Sequence, residues 1–153
     1  EDKMAMFENI AMLDELLPKD QPRYLMGVGR PTDLVAAVQN GVDMFDCVLP
    51  TRNGRNGQLF TSKGVINIQN SRYLDDFSCV DEECNCHLCN DYTKAYLRHL
   101  FNINEMLGLR LASLHNITYY MLLMKTIREK INEGEFSKWS VNYLNKYSHD
   151  QRM

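Results

Sequence analysis

Residues 41–57 read GVDMFDCVLPTRNGRNG. Met44 to Leu49 form an apolar run with one carboxylate, Asp46, in its middle. A carboxylate in a β-like run is costly when buried and unpaired. Near a strand end, with Arg52 and Arg55 just beyond, it reads as a site. Pro50 ends the run, and residues 50–57 are expected to form a loop carrying both arginines. Side chains alternate along a strand, so Met44, Asp46 and Val48 share one face. Asp43, Phe45, Cys47 and Leu49 share the other.

The segments before this stretch supply its context. Residues 3–17 show helical apolar spacing at Met6, Ile10, Leu13, Leu16 and Leu17. Residues 23–29, RYLMGVG, read as a strand ending in glycines. A helix over residues 31–40 follows, opened by Pro31 and closed by Asn40 and Gly41. Helix, strand, helix, strand with short connections is the rhythm of a parallel α/β sheet or barrel. After the loop, residues 58–61 and 65–69 read as a hairpin.

The chain has 153 residues, 44% hydrophobic and 24% charged, which fits one globular domain. Its net charge of −3 excludes a global basic field, so any RNA contact must come from local clusters. No stretch is long and apolar enough for a membrane span, and no signal-peptide pattern is present. A cytoplasmic protein is expected. The chain opens on Glu1, which suggests a piece of a longer or processed protein.

Five cysteines stand at 47, 79, 84, 86 and 89. The odd count argues against a disulfide framework. Cys84, Cys86 and Cys89 form C-x-C-x2-C, a density of thiolates that suits zinc. A closed tetrahedral site needs a fourth ligand, from His87, His99, His115 or Cys79. His87 sits strained between two ligands. His115, 26 positions after Cys89, could return on a helix that folds back. A site closed by four protein ligands is structural and offers no open position for hydrolysis.

A helix is expected over residues 91–107, with Gly108 near its end and Tyr96, Leu100, Ile103 and Leu107 as a stripe. Tyr92, Tyr96 and His99 form an adjoining aromatic strip that suits a subunit interface. A second helix is expected over residues 116–132, with Ile117, Tyr120, Met121, Met124, Ile127 and Ile131 near one face. The tail carries Phe136, Trp139, Tyr143 and Leu144 at helical spacing and is expected to dock as a short helix and then fray.

The string DMFDCVLPTRNGRNG, preceded by YLMGVG and followed by C-x-C-x2-C and a His-Asn pair, resembles the tRNA-guanine transglycosylases. These are also called queuine tRNA-ribosyltransferases. The likeness covers nearly the whole chain from Arg23, and TRNGRNG and the KGV turn look like the bacterial branch. The resemblance implies an α/β fold: the C-terminal part of a TIM (β/α)8 barrel, an inserted zinc-binding subdomain and C-terminal helices. On this chain that divides into residues 1–75 with the catalytic strand, 76–116 with the metal, and 117–153 with the last helices.

The resemblance also implies an activity. The wobble guanine of a tRNA anticodon is exchanged for 7-aminomethyl-7-deazaguanine, a 7-deazaguanine base, in queuosine biosynthesis. Asp46 matches the nucleophile, which forms a covalent ester with the ribose. Met26 and Gly27 match the base pocket. Gly27, Val28, Gly29, Arg30, Pro31, Thr32 and Asp33, with Thr51, Arg52, Asn53, Gly54 and Arg55, match the tRNA-contacting segments. Cys84, Cys86, Cys89 and His115 match the Zn2+ ligands. A homodimer through the helix bearing Tyr92, Tyr96 and His99 is expected. The family's proton-transferring aspartate and most base-reading residues have no counterpart here, so the chain alone is expected to be inactive. The alternative is a non-catalytic, zinc-bearing RNA-binding or assembly module, in which Asp46 is dispensable.

Overall fold

A computed structural model describes residues 2–149. Helix α1 spans Lys3–Leu16 and is capped by the Asp2 side chain. Strand β1 (Tyr24–Met26), helix α2 (Pro31–Gln39) and strand β2 (Met44–Asp46) follow. The two strands pair in parallel, with Tyr24 opposite Met44 and Met26 opposite Asp46. This is a βαβ unit, as the alternating pattern requires. Leu34, Val35 and Ala37 of α2 are buried. On the sheet, Leu25 and Phe45 pack into the core on one face, while Tyr24, Met26 and Met44 lie exposed on the other.

Residues 50–57 do not form a loop. Helix α3 spans Leu49–Arg55. Pro50 opens it rather than ending the run, because the first turn needs no N–H from that residue. What holds this short helix is tertiary contact, which no local pattern shows. A Cβ placed on Gly54 would lie 2.9 Å from the backbone of Ser113. Gly54→Ala gains about 1 kcal/mol of helix propensity. It costs about 1–3 kcal/mol of overpacking against immovable backbone. A net fall in melting temperature is expected, readable by calorimetry.

Strands β3 (Gln58–Thr61) and β4 (Gly64–Asn67) form the antiparallel hairpin read from the sequence. After a 3-10 turn at Ser71–Tyr73 comes the cysteine loop, then three helices where one long helix and a successor were expected. Helix α4 (His87–Asp91) stops at extended Tyr92. Thr93 caps α5 (Lys94–Asn102) by accepting from the Tyr96 N–H at 3.2 Å. Asn104 takes a left-handed φ of 56°, and α6 then runs from Met106 to Asn132. Gly108 is therefore inside α6, buried, and its site for a Cβ lies 3.0 Å from Leu100. The expected stripe is split, with Leu100 buried and Ile103 exposed.

Helix α6 begins ten residues earlier than the periodicity indicates, and its inner face is also different. Leu111, Ala112, His115, Asn116, Tyr120, Leu123 and Ile127 are buried. Ile117, Met121 and Ile131 are exposed. Two polar residues take core positions, which an apolar count overlooks. Helix α7 (Phe136–His149) docks as expected, with Trp139, Tyr143 and Leu144 packed against the cluster of Leu34 and Tyr120 and Ser140 accepting from Gln39 at 2.7 Å. The expected fraying concerns residues outside those described. Among the described residues, no helix is long and apolar enough to cross a membrane.

Candidate functional site

The candidate metal centre is built from the loop carrying Cys84, the capped start of α4 with Cys86 and Cys89, and one turn of α6 with His115. Cys84, Cys86, Cys89 and His115 are all buried, and their ligand atoms lie within 4.8 Å of one another. His115 Nδ1 is 3.7 Å from the Cys84 Sγ, 3.4 Å from that of Cys86 and 3.3 Å from that of Cys89. A tetrahedral zinc with bonds of about 2.0–2.3 Å has edges of about 3.5–3.8 Å. The donor set therefore fits zinc. The far nitrogen, Nε2, donates to the Phe60 carbonyl at 2.9 Å. That bond fixes the tautomer that leaves Nδ1 free for a metal.

The rival ligands lie elsewhere. His87 is solvent-facing and pairs with Asp91 at 2.6 Å. His99 is exposed beside Tyr96, and Cys79 lies outside the cluster. The loop itself is pinned by Asp81, which sequence reading passed over. Its carboxylate accepts from the Ser62 N–H at 2.8 Å, the Ser62 hydroxyl at 2.7 Å and the Glu83 N–H at 3.1 Å. This closes the cysteine loop onto the hairpin turn.

Hydrogen bonds from Cys84 and Cys89 pull the Cys86 thiol far below its ordinary range. Hydrogen bonds to Cys84 and Cys86 push the Cys89 thiol up. Burial opposes a charge on His115, but the Cys84 and Cys86 sulfurs outweigh it and lift the imidazole to about 9. Metal binding therefore competes with protons on these side chains, and zinc affinity is expected to fall steeply on acidification near pH 7. Competition with a chromophoric chelator at pH 7 and pH 6 checks this.

The second locus is the open face of the β1–β2 pair. Asp46 ends β2 and is exposed. The Gly27 N–H donates to the Asp46 carbonyl at 3.0 Å and to its Oδ1 at 3.1 Å. The Asp46 carboxylate beside it raises the Tyr24 phenol above its usual range. Tyr24 was missed in the sequence, since its contact follows from strand pairing. Met26 stands opposite Asp46 in the register. Asp43 is turned elsewhere and accepts from the Arg23 N–H at 2.8 Å.

On the segments that follow β1 and β2, Arg30, Arg52 and Arg55 are exposed and make no ion pair among the described residues. Gly27 is exposed, and Val28, Thr32, Thr51 and Asn53 are half-buried. Gly29, Pro31, Asp33 and Gly54 are buried. Asp33 is bound by Lys3 at 2.7 Å. Gly29 lies so close to β2 that a Cβ there would sit 2.1 Å from the Cys47 sulfur. These four offer little surface.

A family model described as Queuine tRNA-ribosyltransferase matches residues 1–149. The chain belongs to the queuine tRNA-ribosyltransferase family. A queuine tRNA-ribosyltransferase of Francisella tularensis subsp. mediasiatica is 56% identical over 131 residues, covering 86% of this chain and 36% of that protein. One from Francisella tularensis subsp. novicida is 55% identical over the same share. The chain thus spans about a third of the length of the curated relatives it matches. Membership in the queuine tRNA-ribosyltransferase family accords with a mixed helix–strand fold that carries a Cys3His cluster able to hold a metal ion.

Proposed function

We propose that this chain is the nucleophile-bearing and zinc-bearing part of a tRNA-guanine transglycosylase. The βαβ unit then belongs to a (β/α)8 barrel, with residues 76–116 as its zinc insert. The observation that carries the reading is the Asp46 carboxylate. It sits at the C-terminal end of a parallel strand, on an open face, held by Gly27, with Tyr24 beside it and Met26 opposite it in the register. Barrel enzymes place their chemistry at that end of the strands.

The Gly27 N–H orients the carboxylate. An oxygen of Asp46 attacks the anomeric carbon of the wobble nucleoside. The C–N glycosidic bond breaks and guanine leaves with its electron pair. A ribosyl ester to Asp46 remains. An incoming 7-deazaguanine base attacks the same carbon, and the carboxylate leaves. Two displacements retain configuration. Met26 packs against the flat base. Arg30, Arg52 and Arg55 take phosphates, which fix register without reading sequence. Cys84, Cys86, Cys89 and His115 would hold zinc, which supplies folding energy there. Tyr92 stacks on Tyr96 at 5.6 Å on an exposed surface, an arrangement that supports docking of a second copy.

The test is a tRNA adduct that survives denaturation. It is expected when the chain is supplied with the remainder of a barrel and a guanine-34 tRNA. The chain alone is expected to give neither adduct nor labelled-guanine exchange, since it spans about a third of the length of its curated relatives. Exchange by the isolated chain would overturn that expectation.

A further inference from the structure

We infer that Asn116 is a positioning residue that couples occupancy of the Cys3His site to the placement of α3, the helix that follows Asp46. Asn116 is fully buried and adjacent to the ligand His115. Its amide is saturated by backbone from separate pieces of chain. Nδ2 donates to the Pro50 carbonyl at 2.9 Å and to the Gln58 carbonyl at 2.9 Å. Oδ1 accepts from the Phe60 N–H at 3.0 Å. The Phe60 carbonyl in turn accepts from His115. One residue of β3 is thus gripped on both polar atoms by consecutive side chains of α6.

The consequence is a short mechanical path. Drawing His115 Nδ1 onto a metal sets the ring, the ring sets Phe60, and Phe60 sets Asn116. Asn116 holds Pro50 in the first turn of α3, four residues beyond Asp46. Tyr120, one turn along, donates to the Gly29 carbonyl at 2.5 Å and braces the glycine turn separately. A buried amide that merely satisfies a turn would destabilise α3 on removal and leave metal affinity alone. Coupling is reciprocal, so a residue that transmits metal occupancy to α3 must also affect the metal. The relevance to Asp46 chemistry rests on the proposed function, whereas the coupling does not.

The experiment uses the full chain and two readouts that involve no tRNA: zinc affinity by chelator competition and amide hydrogen exchange by mass spectrometry. Asn116→Ser is expected to bind one zinc, with affinity weakened about 10–100-fold, as for outer partners of metal ligands. Exchange in α3 should rise while the amides of residues 84–89 stay protected. Tyr120→Phe keeps its ring against Phe60 and loses only the hydroxyl. It should leave zinc affinity within about twofold and loosen residues 27–30 alone. Zinc affinity of Asn116→Ser within about twofold of the unaltered chain, or equal weakening by Tyr120→Phe, overturns the proposal. If Asn116→Ser does not fold, zinc is titrated into the unaltered chain. Protection of α3 should then rise in step with occupancy, and protection of 84–89 without α3 overturns the coupling. Loss of the coupling leaves the Asp46 reading intact, and a dispensable Asp46 leaves the coupling intact.

Discussion

Cys86→Ser is expected to abolish stoichiometric zinc and unfold residues 79–114. The cysteines are not attached to a core there. They are the core: Cys84, Cys86 and Cys89 are buried in one cluster with Leu88, Leu97 and Leu111. Structural zinc sites contribute on the order of 10–16 kcal/mol. A whole domain is stable by about 5–15 kcal/mol. Loss of one ligand therefore removes more than the region can spare. His115→Ala should do the same, and it also frees the Phe60 carbonyl. Zinc-to-protein ratio and a thermal melt read the result. A Cys86→Ser protein that kept both its zinc and its melting temperature would show that the assignment is wrong.

Asp46→Asn is expected to remove the denaturation-resistant tRNA adduct and to lower base exchange on the order of 10⁴-fold or more, as loss of a covalent nucleophile does. Asparagine keeps the size and can still accept from the Gly27 N–H, so tRNA binding should persist. Asp43→Asn is the matched control. Its carboxylate serves the Arg23 backbone, a role the amide oxygen can fill, so exchange should stay near the unaltered level. Both are measured in the reconstituted enzyme. An unchanged adduct in Asp46→Asn would favour the alternative, a zinc-bearing module that binds RNA without catalysis.

Local signals made several parts legible. Alternation and glycine ends located β1 and β2, and the Lys63-Gly64 turn located the hairpin. Thiol spacing pointed to three members of the buried Cys3His group, and the family resemblance pointed to His115 among four candidates. What stayed hidden depends on distant contacts. Residues 49–55 carry proline, asparagine and glycine, and only the close seat of Gly54 on α6 makes them a helix. The start of α6 was obscured because His115 and Asn116 occupy its inner face, each satisfied by the hairpin. Asp81 and Tyr24 likewise gain their roles from partners far along the chain.

The crossing of Gly29 over Cys47 sets a rule for variation. A methyl group on residue 29 would meet not only the Cys47 sulfur but also its Cβ, at 2.5 Å. Shortening Cys47 to alanine would therefore not relieve it. The two positions share a single side-chain volume, and one of them must be glycine. Any sequence that enlarges residue 29 has to surrender the side chain at 47, directly after the carboxylate, or move the turn away from the strand.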